Sequence, residues 1–174
     1  MSEWNSCSKL LAEDALKKAT EEYKNSLMNR KNPFEVMLNL QKSLQEKLYQ
    51  KYPGRSPNVN NLETIGNKYD FLRDQKEAFD DEYRELIDAL PGMNKPDKER
   101  SALWKKWKAD HVNMGNVVFN DLTFDEQVEA KMEMIDMFHF VLNMFIGMDM
   151  SAEDVFIYYY LKNAENFERQ ERDY

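Results

Sequence analysis

Residues 133–148 read EMIDMFHFVLNMFIGM, and this stretch constrains the fold more than any other. Only Glu133 and Asp136 carry a full charge at neutral pH, and apart from His139, Asn143 and Gly147 the rest is strongly apolar. Val128, Met132, Ile135, His139, Leu142 and Ile146 recur at helical spacing along one side. Met134, Met137, Phe138, Val141 and Phe145 cover most of the remaining circumference. A helix that is apolar all round belongs in an interior, so the chain must supply elements that surround it. Glu133 and Asp136, at i and i+3, share a face of that helix. A lone carboxylate in such a place is costly or takes up a proton, and two neighbours cost more unless a cation joins them. A divalent metal is the reading that satisfies both carboxylates.

The surrounding elements read as helices. The chain of 174 residues has five Gly and five Pro, clustered at a few places, and is otherwise rich in helix formers. An exposed amphipathic helix is expected over about residues 7–30. Asn32 and Pro33 supply a cap and a first-turn proline for a second helix, about 34–51. PGRSPNVNN at 53–61 reads as a loop. Residues 62–90 read as helical with a break in the middle, and LPGMNKPDK at 90–98 as the next loop. A helix over about 99–113 carries LWKKWK. Thr123 with Glu126, and Ser151 with Asp154, form capping boxes for helices over 124–148 and 152–170. The expectation is one all-α domain spanning 1–174, a helical bundle of about six helices.

Composition removes several classes of function. The net charge of −8 argues against a non-specific nucleic-acid binder. The single cysteine, Cys7, excludes an intrachain disulfide. The stretch MSEWNSCSKLLAEDALKK has no charged-then-apolar leader pattern, and the 133–148 run is too short and too acidic to span a bilayer. A soluble cytoplasmic protein with no nucleic-acid or membrane partner is expected.

A Mg²⁺-type cation needs more oxygen ligands than one pair supplies. AFDDEYRELIDAL holds a second pair, Glu82 and Glu85, again at i and i+3, on a helix with Leu86 and Leu90 on its apolar side. Four carboxylates on two helices can hold one or two Mg²⁺ ions, or Mn²⁺ in their place. Taken alone, Glu82 and Glu85 would be an ordinary solvated acidic face. Near the C-terminal end, Lys162, Asn166 and Arg169 share a helix face and make a candidate phosphate-binding edge. The LWKKWK segment mixes two Trp with three Lys, a composition that suits base stacking and phosphate contact but also a core.

EYRE followed by EMID resembles the E-x-x-E … E-x-x-D motif of the all-α nucleotide pyrophosphatases, which include the dimeric dUTPases. MLNLQKSLQ at 37–45, LWKKWK, IDMFHF, MSAEDVF and YYLKNAENFERQ extend the resemblance in the same order from about residue 34 onward. Residues 1–33, a less well matched N-terminal helix, precede it. The resemblance is greatest to bacteriophage members of the family. It implies Mg²⁺-dependent hydrolysis of dCTP and dUTP, with dCDP and dUDP as further substrates, by a homodimer. It also implies removal of these nucleotides from the pool in infected host cytoplasm. By the same resemblance Glu82, Glu85, Glu133 and Asp136 are the metal ligands. Lys162, Asn166, Arg169 and Lys105 hold phosphate, and Gln41, Gln45, Phe140 and Trp104 form the base pocket. The chain departs from the family at Gln45, where Asn is usual, and in an insertion over about 89–103.

The chemistry of these residues agrees with that implication. Cleavage within a triphosphate needs charge neutralisation and an activated water. Glu85 or Glu82 is the candidate general base, with Glu85 preferred. His139 reads as a core or supporting residue. An Asp136-x-x-His139 di-iron half-site lacks its second half, because His111 has no acid three residues before it. Two other readings stay open: a hydrolase for another or modified nucleotide, and a non-enzymatic helical adaptor with an acidic face. The adaptor requires Glu133 and Asp136 to be exposed.

Overall fold

The computed structural model describes residues 11–54, 57–90 and 116–172. Among these the chain is all-α, with five helices, a short 3₁₀ turn over Phe119–Asp121 and no strand. The helices are α1 (Glu13–Met28), α2 (Pro33–Lys51), α3 (Ile65–Ala89), α4 (Phe124–Gly147) and α5 (Ala152–Glu171). The expected helix over 99–113, together with Cys7, Trp104, Lys105 and His111, lies outside the described residues. No helix among the described residues is long and apolar enough to cross a membrane.

The helix ends follow local side-chain chemistry. Helix α1 begins at Glu13 among the described residues, the expected start at about residue 7 lying outside them, and it is exposed along almost its whole length, with Ser26 as its buried residue. It closes with Arg30 in the left-handed region (φ 55°) while the Lys31 N–H donates to Ser26 O at 2.8 Å. Asn32 Oδ1 accepts from the Phe34 N–H at 3.0 Å, and Pro33 takes the first helical position of α2. Helix α4 opens on Thr123, whose hydroxyl and N–H are bonded reciprocally with Glu126, and α5 opens on the Ser151–Asp154 capping box. Helix α4 stops at Asp149 in the left-handed region (φ 56°), with the Met150 N–H donating to Phe145 O at 3.0 Å. Lys68 Nζ secures that end, donating to Gly147 O at 2.8 Å and to Asp149 Oδ2 at 2.5 Å.

Two expectations need correction. Helix α3 has no break and runs 25 residues without interruption. Its middle carries no Gly or Pro, and the pairs Asp70–Arg73, Lys76–Asp80 and Asp81–Arg84 lace one turn to the next. Helix α4 is not buried all round. Val128, Ala130, Met137 and Leu142 are buried, but Met134 and Ile135 are 51% and 48% exposed. Its apolar circumference exceeds what the described residues cover.

The chain forms two compact units, Met1–Glu22 with Lys76–Phe140 and Tyr23–Gln75 with Val141–Tyr174. In the first, an apolar cleft of about 600 Å³ is lined by Leu86, Leu90, Phe119, Val128, Met132 and Ile135, among others. In the second, Val59, Leu62 and Phe71 make a core against which Ile146 packs. Phe34 meets Phe145 edge to face, with ring centroids 6.4 Å apart.

Gly147 is the tightest point of that core. A Cβ there would lie 2.6 Å from Phe71 Cδ1, and Phe71 is only 1% exposed. Alanine would gain roughly 1 kcal/mol of helix propensity. Displacing a fully enclosed ring costs about 1–3 kcal/mol and wins. Gly147→Ala is therefore expected to lower the urea midpoint without changing the m-value, and an unchanged midpoint would show that Phe71 has room to move.

Candidate functional site

Helix α3 projects Glu82 and Glu85 from adjacent turns, and α4 projects Glu133. Their carboxylates each offer an oxygen within 4.8 Å of the other two. All three lie in the first compact unit. Glu133 is buried, at 9% exposure, Glu82 is half-buried and Glu85 is exposed. Like charges at this range disfavour full ionisation. Burial, then the charges of Glu85, Asp136, Glu82 and Glu129, push Glu133 from 4.5 up to about 7. Burial, then Glu85, Asp136 and Asp81, also push Glu82 upward.

Two observations bear on what such a cluster can hold. Glu133 Oε2 is buried and, among the described residues, has no hydrogen-bond partner. Among the same residues no Lys or Arg pairs with Glu82, Glu85 or Glu133, and the neighbouring Arg84 is taken by Asp81. A buried carboxylate with one oxygen lacking a proton donor, clustered with two further carboxylates, fits a hard divalent cation with oxygen ligands. Asp136 is placed differently from the other acids. Its side chain is 48% exposed and does not belong to the converging set, so the expectation of two buried acids on α4 holds for Glu133 alone. One turn further along α4, Asp136 reaches the rim. It still acts on Glu82 and Glu133 through its charge, and its Oδ1 lies 3.8 Å from His139 Nδ1.

Phe140 is half-buried on α4. Lys162, Asn166 and Arg169 are exposed on α5, and Arg169 Nε donates to Glu165 Oε1 at 2.9 Å. Gln41 and Gln45 are both buried, one turn apart on α2.

Gln41 belongs to a polar arrangement that residue patterns did not reveal. Its Nε2–H donates to Asn143 Oδ1 at 2.9 Å, and Asn143 Nδ2–H donates to Gln75 Oε1 at 2.7 Å. Asn143 is 1% exposed, Gln41 6% and Gln75 9%. Asn143 carried a visible signal, an amide inside the most apolar run of the chain. Gln75 carried none, because FLRDQKEAF reads as a solvated stretch.

Comparison with known proteins adds three relatives. A protein of Enterobacteria phage T4 described as a dCTP pyrophosphatase is 41% identical over 179 residues, covering all of both chains. A dCTP pyrophosphatase of Enterobacteria phage LZ5 is 42% identical over 174 residues, again covering all of both chains. A phage T4 protein described as a DNA replication protein is 40% identical over 168 residues, which is 94% of this chain and 41% of that protein. No family model and no solved structure matches the chain.

Proposed function

Because the chain belongs to the phage dCTP pyrophosphatase family, we propose that it hydrolyses dCTP to dCMP and pyrophosphate. We extend the reading to dUTP, giving dUMP and pyrophosphate, and to dCDP and dUDP, giving the monophosphate and orthophosphate. The observation that carries the cation-dependent chemistry is the clustering of Glu133 with Glu82 and Glu85, together with a buried Glu133 oxygen that has no hydrogen-bond partner among the described residues.

In this reading Glu82, Glu85 and Glu133 hold Mg²⁺, with Asp136 at the rim. When bound there, the ion would supply neutralisation of the charge along the triphosphate. The chain's own groups do the rest. Glu85, the most exposed of the three, takes the proton from the water that attacks phosphorus. Glu82, whose pKa is raised by burial and then by its acidic neighbours, is the alternative. Lys162, Asn166 and Arg169 bind phosphate oxygens, the guanidinium through two parallel N–H donors. Gln41 and Gln45 read the pyrimidine edge, and Phe140 stacks on the base. Lys105 and Trp104 belong to the phosphate and base sites by family resemblance. An adaptor would require both Glu133 and Asp136 to be exposed; Asp136 is, but the burial of Glu133 weighs against that reading. The exposed apolar residues of α5, Phe156, Tyr159, Tyr160 and Phe167 among them, together with Met134 and Ile135 on α4, support a homodimer. The cellular role is control of the pyrimidine deoxynucleotide pool during infection.

Pyrophosphate release from the four common dNTPs and dUTP, with Mg²⁺ and with EDTA, tests the reading. Mg²⁺-dependent release from dCTP and dUTP alone is expected, and release from none would overturn it. Arg169→Ala is expected to raise KM for the triphosphate by about tenfold or more, as loss of a charge-assisted bond implies. Its thermal unfolding should change little, because Arg169 is exposed and its bond to Glu165 is a surface pair. Unchanged kinetic constants would remove Arg169 from the phosphate site.

A further inference from the structure

Gln41 on α2, Asn143 on α4 and Gln75 on α3 form a linear chain of buried amides within the second compact unit. Both bonds run in the same sense, with nitrogen donating toward Gln75. A primary amide has an acceptor oxygen on one side and N–H donors on the other, in groups of nearly equal size. Turning one of the three alone would set oxygen against oxygen, or nitrogen against nitrogen, in a buried place. Such unmade bonds are costly. Turning all three together keeps both bonds and reverses their sense. The chain therefore has two fully bonded states. In one, Gln41 is left with its oxygen for an outside partner, and in the other with its nitrogen.

We infer that this amide chain is the selector that lets one site accept both cytosine and uracil, with Gln75 as the positioning residue at its far end. The inference rests on the reading that Gln41 meets the base. The 4-position of cytosine carries an amino donor, and that of uracil carries a carbonyl acceptor. In the state seen here, Gln41 Nε2 is turned to Asn143 and its Oε1 is left to accept from cytosine. In the reversed state, Gln41 accepts from Asn143 and its N–H is left to donate to uracil. Gln75 acts through Asn143, because the direction of its amide decides which state is bonded throughout.

The two senses are separable by substitution. Gln75→Glu and Asn143→Asp each introduce a carboxylate, which accepts and cannot donate when ionised. Either change holds Gln41 with its nitrogen toward position 143 and its oxygen outward. The test measures kcat/KM for dCTP and dUTP at pH 8 in these two variants and in Gln75→Met, which neither donates nor locks. The ratio of dUTP to dCTP is expected to fall roughly tenfold or more in both carboxylate variants. In Gln75→Met both nucleotides should be affected by similar factors. Equal losses for both nucleotides in all three variants would overturn the inference, since a purely structural role predicts that.

A measurement on the unaltered chain keeps the test open if the variants do not fold. The side-chain amide NMR signals of Gln75 are expected to differ between the dCMP and dUMP complexes. Identical Gln75 signals in the two would overturn the inference. Cleavage of dCTP but not dUTP by the unaltered protein would leave the pyrophosphatase reading standing and remove the two-state chain. Cleavage of neither would remove both.

Discussion

Replacing Glu133 with Gln is expected to abolish turnover while making the cation-free protein more stable. Loss of a residue that merely supports a metal ligand costs 10–100-fold, so losing Glu133 in its proposed role as a ligand should cost at least about a hundredfold. Stability should move the other way. At pH 8 and without a cation, Glu133 is ionised although burial and its neighbours hold its pKa at about 7. That ionisation opposes folding by on the order of 2–3 kcal/mol. Glutamine removes the charge and leaves a buried amide in need of partners, which returns roughly 1–2 kcal/mol of cost. The net gain is about 1 kcal/mol, or a rise in Tm of roughly 2–4 °C for a chain of this size. Melting in EDTA and pyrophosphate release with Mg²⁺ check the two halves separately. A variant that loses activity and stability together would place Glu133 in the core rather than in the site.

The same carboxylate makes the cation-free protein sensitive to pH in an unusual direction. Most folded-state carboxylates are held below their unfolded pKa, and their stabilisation is lost in acid. Glu133 is raised, from 4.5 to about 7. Over that window the folded chain binds more protons than the unfolded one, so stability falls as pH rises. The contribution is full below about 4.5 and is lost through about 7, with a size on the order of 2–3 kcal/mol. Glu82, also raised, adds in the same sense. In EDTA, Tm should therefore decline by several degrees between pH 5 and pH 8. Mg²⁺ should reverse the decline, raising Tm more at pH 8 than at pH 5.5, because a cation binds the deprotonated form. A Tm in EDTA that is flat or rising across this range would contradict the environment assigned to Glu133.

Much of the helical architecture was legible because it is written in short-range chemistry. Asn32 with Pro33, Thr123 with Glu126, and Ser151 with Asp154 each satisfy backbone donors at a helix start. The pairing of the two acid motifs was also legible, because two runs of paired carboxylates on helices with apolar sides point to a common centre. Side-chain exposure was not. Asp136 and Glu133 are three residues apart and look alike in sequence, yet one lies at the rim and the other is buried. The turn of α4 and the partial cover it receives decide that, and neither is a property of the motif. The continuity of α3 was missed because a polar stretch reads as a break, whereas ion pairs one turn apart support it. Gln75 escaped notice because a glutamine among charged residues carries no sign of burial. Only the long-range bond to Asn143 reveals it.

The measurement that tests the acid cluster most directly is a calorimetric titration of Mg²⁺ into the cation-free protein at pH 7, repeated in buffers of different ionisation enthalpy. Saturable binding is expected, with release of about half a proton per cation from Glu133 and none from Glu133→Gln. Absence of saturable binding, or the same binding and proton release in Glu133→Gln, would contradict a divalent-cation site at Glu82, Glu85 and Glu133.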